Sequence, residues 1–210
     1  MSVRNLILNK DYATLAQLLT DQPLLANEGV ALDQDGSNKV HPLHRICDAV
    51  FFSQISDQEG VQLASIFLEH GADINGHSIE MQDTPLTAAC SLHADKVALY
   101  YIACGANIHH RGCHGGTALH WAAWCGRAQV VHKLIEVGAN INQLCIDFQA
   151  IPLFWAVRAI KNNVHSNVDC VHALLKAGAI ASIPNREGKT VMDLMEASDK
   201  ELKEVLDAYL

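Results

Sequence analysis

Apolar residues recur three and four positions apart in many short stretches of this chain. Residues 129–135 are one example, in which Val130, Val131 and Leu134 fall on one side of a helix with 3.6 residues per turn. Residues 4–20 contain two shorter runs of the same kind, which predict a pair of helices near the start of the chain. The pattern indicates a helical protein built from short amphipathic helices, each with one face available for a core.

A short motif occurs twice, 33 residues apart. Residues 84–89 read Thr-Pro-Leu-Thr-Ala-Ala, and residues 117–123 read Thr-Ala-Leu-His-Trp-Ala-Ala. In both copies a Gly-Ala pair follows 21 residues after the threonine. A stretched version of the same frame starts at residues 41–44 and again at residues 151–154, with nine and six extra residues before its Gly-Ala pair. An internal period of this size indicates a repeat architecture.

The residue types in this frame predict how each unit folds. Thr84 and Thr117 are expected to be helix N-caps, because a threonine hydroxyl can accept a hydrogen bond from an unpaired backbone N–H. Proline is tolerated at the next position, where its missing N–H would have no partner in any case. Gly138 suits a left-handed C-cap after the second helix. Each unit is therefore predicted to contain two short helices followed by an extended finger.

This frame resembles the ankyrin repeat. The resemblance rests on the 33-residue period, on the Thr-Pro-Leu-His box and on a Gly-Ala pair before an extended Asp/Asn-x-Asn segment, as at residues 71–75 and 138–142. It implies an all-α fold, an ankyrin-repeat solenoid of helix-turn-helix units with β-hairpin-like finger loops. The chain departs from the family pattern at Thr87 and Phe154, which stand at the usual histidine position, and at Ile151, which stands at the usual threonine position.

The resemblance covers about residues 36–197, and the whole chain is predicted to form a single domain. Ser198 and Glu201 have the spacing of a capping box, which would open a polar last helix. The insertions at 51–60 and 161–167 are expected to lengthen the helix pairs of their units. The predicted parts are an N-terminal capping helix pair (1–35), repeat 1 with an insertion (36–78), repeat 2 (79–111), repeat 3 (112–145), repeat 4 with an insertion (146–184) and a C-terminal capping repeat (185–210).

The resemblance also implies a partner-binding surface, since the inner helix and the finger of each ankyrin unit line a concave groove. All three tryptophans of the chain fall on this predicted groove. Tryptophan and arginine are the residues most enriched at interface hot spots. The position held by Asp48, Trp124 and Arg158 is expected to be among the more exposed. The predicted partner-binding residues are Trp121, Trp124, Trp155 and Arg158 as an anchor cluster, Arg45 and Asp48 continuing the groove, and Arg111, His114 and Phe148 on the fingers.

The alternative is that some of these residues have a structural role instead of binding a partner. Trp121 and Trp155 stand where the family often has apolar residues that pack against the neighbouring repeat. The finger tips at 77–81, 111–114, 144–148 and 184–187 are a second candidate surface. Their apolar residues could equally fold back onto the next finger; these are Met81, Leu144, Ile146 and Phe148.

Composition narrows the classes of partner. The net charge of −8 gives no broad positive field for a phosphate backbone or an anionic membrane, so neither a nucleic acid nor a membrane is expected as partner. Seven cysteines without a framework of spacings indicate reduced thiols in the cytoplasm. The first ten residues contain no sustained apolar run, so no secretory leader is expected. The prediction is a monomeric, cytoplasmic protein-interaction module without cofactors.

Three other functions were weighed against this prediction. Self-association could cover the aromatic patch with a second copy of the chain. Residues 109–114 contain three histidines and Cys113, but their spacing is not that of a zinc site and they follow an extended finger. Cys125 is the best placed thiol for nucleophilic catalysis, yet no third residue that would orient a base lies in its unit. The chain is therefore predicted not to be an enzyme.

Overall fold

The computed structural model describes residues 2–32, 38–76, 79–164, 168–196 and 199–209. Three sequence predictions fall partly outside these ranges. They are the capping serine Ser198, the first residues of the finger tip at 77–81 and the end of the insertion at 161–167. The contacts divide the chain into two compact units, which are treated separately below. Unit 1 comprises residues 1–79 and 83–107, and unit 2 comprises residues 80–82 and 108–210.

Unit 1 contains three pairs of helices and one short hairpin. The two strands are antiparallel, with Val30 opposite Val40 and Ala31 opposite Lys39. The elements of unit 1 are α1 (Val3–Asn9), α2 (Tyr12–Asp21), a 3₁₀ turn (Pro23–Ala26), β1 (Val30–Ala31), β2 (Lys39–Val40), α3 (Pro42–Phe51), α4 (Asp57–Glu69), α5 (Pro85–Ser91) and α6 (Asp95–Ala103).

The helices of unit 1 begin where side chains supply hydrogen bonds to free backbone N–H groups. Thr84 caps α5 as predicted, since its hydroxyl accepts a bond from the N–H of Thr87. Helix α6 follows Ala94, whose side chain offers no capping hydrogen bond. Instead, the Asp57 carboxylate at the start of α4 accepts bonds from the N–H groups of Lys96 (2.7 Å) and Val97 (3.1 Å). A residue of one helix pair thus caps a helix of the next.

The core of unit 1 is mainly apolar and includes a buried phenol. Tyr101 of α6 is fully buried and donates its hydroxyl to the backbone oxygen of Leu43 in α3, 2.8 Å away. This bond satisfies the only polar group of a side chain that otherwise packs as a hydrophobe. Burial raises the pKa of Tyr101 well above its usual range. Helices α3, α4, α5 and α6 meet around Ile46, Leu63, Phe67 and Leu86, all essentially without exposure.

The insertion at 51–60 lengthens both helices of its pair. α3 has 10 residues and α4 has 13, compared with 7 in α5 and 9 in α6. In unit 2 the corresponding insertion follows α9. α9 has 10 residues and is longer than the 7-residue α7, whereas α10 has 8 residues and is no longer than the 9-residue α8. The second insertion therefore extends only the inner helix of its pair.

Unit 2 contains two complete helix pairs and a C-terminal helix. Gly138 follows α8 in the left-handed region (φ 89°), which is the C-cap conformation that the sequence predicted. The elements of unit 2 are a 3₁₀ turn (Cys113–Gly115), α7 (Ala118–Trp124), α8 (Ala128–Glu136), α9 (Pro152–Lys161), α10 (Asp169–Lys176), a second 3₁₀ turn (Met192–Leu194) and α11 (Lys200–Asp207).

His120 connects the start of α7 to the next finger. Its Nδ1 accepts bonds from the N–H (3.1 Å) and the hydroxyl (2.9 Å) of Thr117, which fixes the ring as the tautomer that carries its proton on Nε2. Nε2 then donates to the backbone oxygen of Ala150, 3.1 Å away. Because the ring is fully buried, desolvation lowers the pKa of His120 to about 4. His120 is therefore a neutral residue with a structural role.

Asparagines of the fingers join consecutive repeats. In unit 2, the side chain of Asn142 donates to the oxygen of Gly178 (3.1 Å) and accepts from the N–H of Ile180 (2.9 Å). In unit 1, Asn27 makes the same pair of bonds, to the oxygen of Gly71 (2.9 Å) and from the N–H of Asp73 (2.6 Å). A carboxamide suits this position because it offers one donor and one acceptor side by side.

Candidate functional site

Helices α7 and α9 of unit 2 carry the four predicted anchor residues. Trp121 and Trp124 lie on α7, and Trp155 and Arg158 lie on α9. The two residues on each helix are three positions apart, so their side chains lie on the same face of that helix. Pro152 is the first residue of α9, where the missing N–H of proline would have no partner within the helix. The helix therefore begins three residues before Trp155.

The three indole rings and Phe148 pack edge to face around Trp155. The ring of Trp155 lies 5.2 Å from that of Trp121 (87°), 6.0 Å from that of Trp124 (78°) and 6.1 Å from that of Phe148 (66°). Such pairs are favourable because the positive edge of one ring meets the negative face of another. Trp155 is only 6% exposed, Trp121 and Trp124 are partly exposed, and Phe148 is 47% exposed. Trp155 is thus the buried centre of the cluster, and the other three rings form its rim.

A cavity of 420 Å³ opens beside these rings. It lies at the small end of the range of roughly 300–1,000 Å³ that is usual for ligand sites. The lining combines side chains of α7 and α9 with the tips of three fingers. The lining residues are His114, Trp121, Trp124, Asp147, Phe148, Ala150, Phe154, Trp155, Arg158, Asn162, Asn185, Arg186 and Glu187. We refer to this site as the aromatic cavity.

The first wall of the aromatic cavity is built by two adjoining fingers. His114 pairs with Asp147 at 2.8 Å, and its backbone oxygen accepts bonds from the N–H groups of Ile146 and Asp147. Gly115 follows at φ 65°, and a Cβ built there would collide with the side chain of Ile146. Only glycine fits this approach. Ile146 therefore folds back onto the neighbouring finger, which leaves Phe148 to face the cavity.

The second wall is the finger tip at 184–187. The Asn185 side-chain oxygen accepts bonds from the N–H groups of Glu187 (3.0 Å) and Lys189 (2.9 Å), which closes the turn. Arg186 joins this turn to the preceding finger through its backbone N–H, which donates to the oxygen of Phe148 (2.8 Å). Its guanidinium donates to the oxygen of Ile146 (3.0 Å). These bonds hold both walls of the cavity in place before any ligand arrives.

The charged groups that line the cavity differ in whether they are paired. Asp147 pairs with His114, and Glu187 pairs with Lys189 at 3.2 Å. Arg158 is exposed, and no carboxylate of the described residues forms an ion pair with it. Arg186 also has no ion pair among the described residues, since its guanidinium donates to a backbone oxygen. Within the described part of the chain, the lining charges without an ion pair are therefore these two guanidinium groups.

One predicted finger residue has a different position. Arg111 does not line the aromatic cavity. Its guanidinium donates to the oxygen of Leu144 (3.3 Å), and its own backbone oxygen accepts from the N–H of Met81 (3.0 Å). Arg111 therefore joins neighbouring fingers of unit 2. Met81 and Leu144 are 40% and 38% exposed, so these two apolar tip residues remain at the surface.

Arg45 and Asp48, the two predicted groove residues of unit 1, are buried, and the expectation of an exposed Asp48 is corrected. Arg45 is 2% exposed and Asp48 is 9% exposed. The Arg45 guanidinium donates to the side-chain oxygen of Gln54 (2.8 Å), a residue of the first insertion. Burial lowers the pKa of Arg45 and raises the pKa of Asp48, while their mutual attraction opposes both shifts. Neither side chain offers a partner much accessible surface.

Three cavity residues were missed by sequence reasoning. Asn162 belongs to the second insertion, which has no counterpart in the 33-residue frame, and Ala150 directly precedes the box of its unit. Phe154 is buried at the box position that usually holds histidine. The departure at Phe154 was visible in the sequence, and an aromatic residue directly before Trp155 was a signal for an enlarged aromatic cluster.

The chemistry of the other candidate functions has little support in the described residues. No group of three or more His, Cys, Asp or Glu side chains in the described ranges could hold a metal ion, the run at 109–114 included. Cys125 is buried at the end of α7. A buried thiol lacks the accessible, electropositive setting that a nucleophilic cysteine needs.

None of the helices within the described ranges is both long and apolar enough to cross a membrane.

Comparisons with known proteins agree with this architecture. A family model described as ankyrin repeats (3 copies) matches residues 9–145. The chain is also similar to the crystal structure of an ankyrin repeat domain from Acinetobacter baumannii AYE, with a TM-score of 0.77 and 25% sequence identity. That similarity covers 98% of this chain and 96% of the other.

Several larger proteins contain a segment similar to this chain. The E3 ubiquitin-protein ligase KEG of Arabidopsis thaliana is 26% identical over 157 residues, which is 74% of this chain and 10% of the relative. Ankyrin repeat protein OPG189 of variola virus is 30% identical over 121 residues, which is 57% of this chain and 21% of the relative. Human BCL-6 corepressor-like protein 1 is 32% identical over 129 residues, which is 61% of this chain and 7% of the relative. The chain spans only a small part of each relative.

Paired short helices, box residues that cap them and fingers joined by side-chain amides define a helical-repeat protein. The chain belongs to the ankyrin repeat family, and its fold is the ankyrin-repeat fold. Ankyrin repeats are in general protein–protein interaction modules rather than enzymes.

Proposed function

We propose that this chain is a protein-binding module and that its partner occupies the aromatic cavity of unit 2. Trp124, Phe148 and Arg158 would make the direct contacts, and Trp121 would complete the rim. Trp155 would act as the buried support beneath them. Localisation in the cytoplasm is part of the proposal, because the seven cysteines of the chain follow no framework of spacings, which is typical of proteins in a reducing compartment.

One observation carries this proposal: all three tryptophans of the chain line a single cavity whose walls are already held by hydrogen bonds. Partly exposed aromatic residues that cluster with an arginine have the composition of an interface hot spot. Preorganised walls reduce the entropy that is lost when a ligand binds. The pairing of His114 with Asp147 and the turn at Asn185 provide that preorganisation.

The experiment is capture of a partner from lysate of the source cell on immobilised protein. Trp124→Ala and Phe148→Ala remove two partly exposed rings of the cavity, so both variants are expected to fold and to lose the partner. Phe52→Ala is the matched control, because Phe52 is an exposed aromatic residue (65%) of unit 1 that does not line the cavity. Retention by wild type and Phe52→Ala, with loss in the two cavity variants, is expected. A partner held equally by all four proteins would place the binding surface elsewhere.

Self-association of the chain is distinguished by a second measurement. Sedimentation of the wild type over a hundredfold concentration range is expected to give a constant monomer mass. A mass that rises with concentration in the wild type and stays constant in Trp124→Ala would mean that a second copy covers the cavity, and it would replace the proposal.

A further inference from the structure

We propose that the ligand of the aromatic cavity is a short acidic peptide segment. One large apolar side chain of the peptide enters between Trp124 and Phe148, and a neighbouring carboxylate of the peptide pairs with Arg158. This inference rests on the proposed function above and adds the chemistry of the ligand to it.

The charges at the cavity select an anionic ligand. The Asp147 carboxylate lies 2.8 Å from the His114 imidazole, and Glu187 pairs with Lys189. Arg158 and Arg186 line the cavity, and no carboxylate of the described residues forms an ion pair with either guanidinium. The Arg186 guanidinium already donates to the backbone oxygen of Ile146, which leaves Arg158 as the cation available to a ligand. A guanidinium pairs well with a carboxylate because its donors match both oxygens. A carboxylate of the ligand would therefore satisfy Arg158, whereas an ammonium would be repelled by it.

The arrangement of the rings favours an apolar anchor over a cation. A cation needs an open ring face within about 6 Å. The Trp155 ring is covered by three neighbouring aromatic rings and is only 6% exposed, so it offers no such face. The open aromatic surface belongs to Trp124 and Phe148, and Arg158 lines the same cavity. An apolar side chain gains from burial against these rings without meeting that charge.

The size of the cavity limits how much of the ligand it can hold. At 420 Å³ it suits one large side chain with its adjoining backbone rather than a folded element. The flanking residues of the peptide would then lie along the rim, where the exposed Arg158 stands at the end of the α9 face that carries Trp155. An acidic residue next to the apolar anchor fits that geometry.

The net charge of the chain makes the attraction local. At −8 the protein as a whole repels an anionic peptide, so the attraction must come from the direct pair with Arg158. A single exposed ion pair is weakened by salt, whose Debye length is about 8 Å at 0.15 M ionic strength. Salt also screens the long-range repulsion, so the charge reversal at Arg158, rather than the dependence on salt, tests the direct pair.

The test is selection from a displayed library of 12-residue peptides that carry one fixed Phe, Trp or Leu between random flanks. Enriched peptides are synthesised and titrated against the full chain by tryptophan fluorescence, which reports on the site because every tryptophan lines the cavity. Enrichment of Asp and Glu beside the anchor is expected. Arg158→Glu is expected to weaken those peptides about tenfold or more and to bind their Asp-to-Lys analogues better than the wild type does.

Lys176→Glu is the matched control, since it makes the same change of charge at an exposed position of α10 outside the cavity. It is expected to leave the affinity within about twofold. If Arg158→Glu and Lys176→Glu weaken peptide binding equally, only the net charge of the protein affects the affinity, and the pairing with Arg158 would be overturned.

The remaining outcomes separate this inference from the proposed function. Enrichment of Lys, Arg or methylated lysine beside the anchor, with binding lost in Trp124→Ala, would overturn the acidic ligand and leave the cavity as the binding site. Enriched peptides that bind Trp124→Ala and Phe148→Ala as tightly as wild type would overturn both. A library without any enriched peptide would overturn the short-peptide ligand, and the capture experiment alone would then decide the proposed function.

Discussion

The indole rings of Trp121 and Trp155 meet edge to face, with 5.2 Å between their centroids and 87° between their planes. The two residues belong to consecutive inner helices, α7 and α9, so one aromatic contact serves both the packing of two repeats and the floor of the candidate site. The box histidine takes part as well, because the ring of His120 lies 5.2 Å from that of Trp155. Under the proposed function, a change at Trp155 is therefore expected to affect both stability and binding.

Replacement of Trp155 should be costly, whereas replacement of Trp124 should not. Trp155→Ala leaves a cavity beneath four aromatic neighbours and should lower the free energy of unfolding by about 3–5 kcal/mol. Trp124→Ala removes a partly exposed rim residue and should cost only about 1 kcal/mol. Chemical denaturation of both variants, followed by circular dichroism, measures the difference. Equal losses would mean that Trp124 is as structural as Trp155.

The stability of the protein should depend on pH through His120. Its pKa is about 4 in the folded chain and near the usual 6.5 in the unfolded chain. Between these values the unfolded state binds a proton that the folded state does not, so stability is lost as pH falls from about 7 toward 4. The slope from this residue is at most about 1.4 kcal/mol per pH unit. The pKa of His44 is also lowered, mainly by burial, and contributes in the same direction.

The His120 contribution can be isolated by denaturation at pH 7.0, 6.0 and 5.0. His120→Gln should be less stable than wild type at pH 7 and should lose less stability between pH 7 and 5. His132→Gln, at an exposed position of α8, should keep the wild-type slope. The assignment fails if His120→Gln has the same slope as the wild type.

Asp57 should stabilise unit 1 as a cap for α6. Asp57→Ala removes the acceptor of two backbone N–H groups, those of Lys96 and Val97, and should cost about 1–2 kcal/mol. Glu28→Ala removes an exposed carboxylate of the same unit and should change stability by less than about 0.5 kcal/mol. Thermal and chemical unfolding of the two variants provide the comparison. A loss at Asp57 no larger than that at Glu28 would contradict the capping role.

Gly115 should tolerate alanine less well than Gly138. Both glycines have positive φ, 65° and 89°, so both variants introduce backbone strain. At Gly115 the added Cβ also collides with Ile146, whereas at Gly138 no atom lies within 4 Å of the added Cβ. Gly115→Ala should therefore lose about 1–3 kcal/mol more than Gly138→Ala, and it should disturb the pairing of His114 with Asp147. Denaturation together with the NMR chemical shifts of His114 measures both effects; similar losses would show that strain alone matters.

Much of each unit could be predicted because its signals are local. Thr84 caps α5 and Gly138 ends α8 in the left-handed region, as the repeat frame predicted. Such features depend on residues a few positions apart or one repeat away. A regular period then places corresponding residues of successive units at equivalent positions, which is why Trp121 and Trp155 could be assigned to one surface.

Exposure could not be predicted in the same way. Arg45 and Asp48 hold frame positions equivalent to those of Trp121 and Trp124, yet both are buried, and Gln54 of the insertion bonds the Arg45 guanidinium. An insertion has no counterpart in the repeat frame, so its path over a neighbouring side chain cannot be read from the period.

Periodicity and the hydrogen bonding of individual residue types were enough to predict the repeat architecture, the cap at Thr84 and a set of candidate partner-binding residues. They did not predict that Trp155 is the buried centre of the aromatic cavity, or that Asp147 and Glu187 have partners whereas Arg158 has no carboxylate among the described residues. Burial and ion pairing depend on the positions of individual side-chain atoms, and the repeat period does not fix the distances between those atoms.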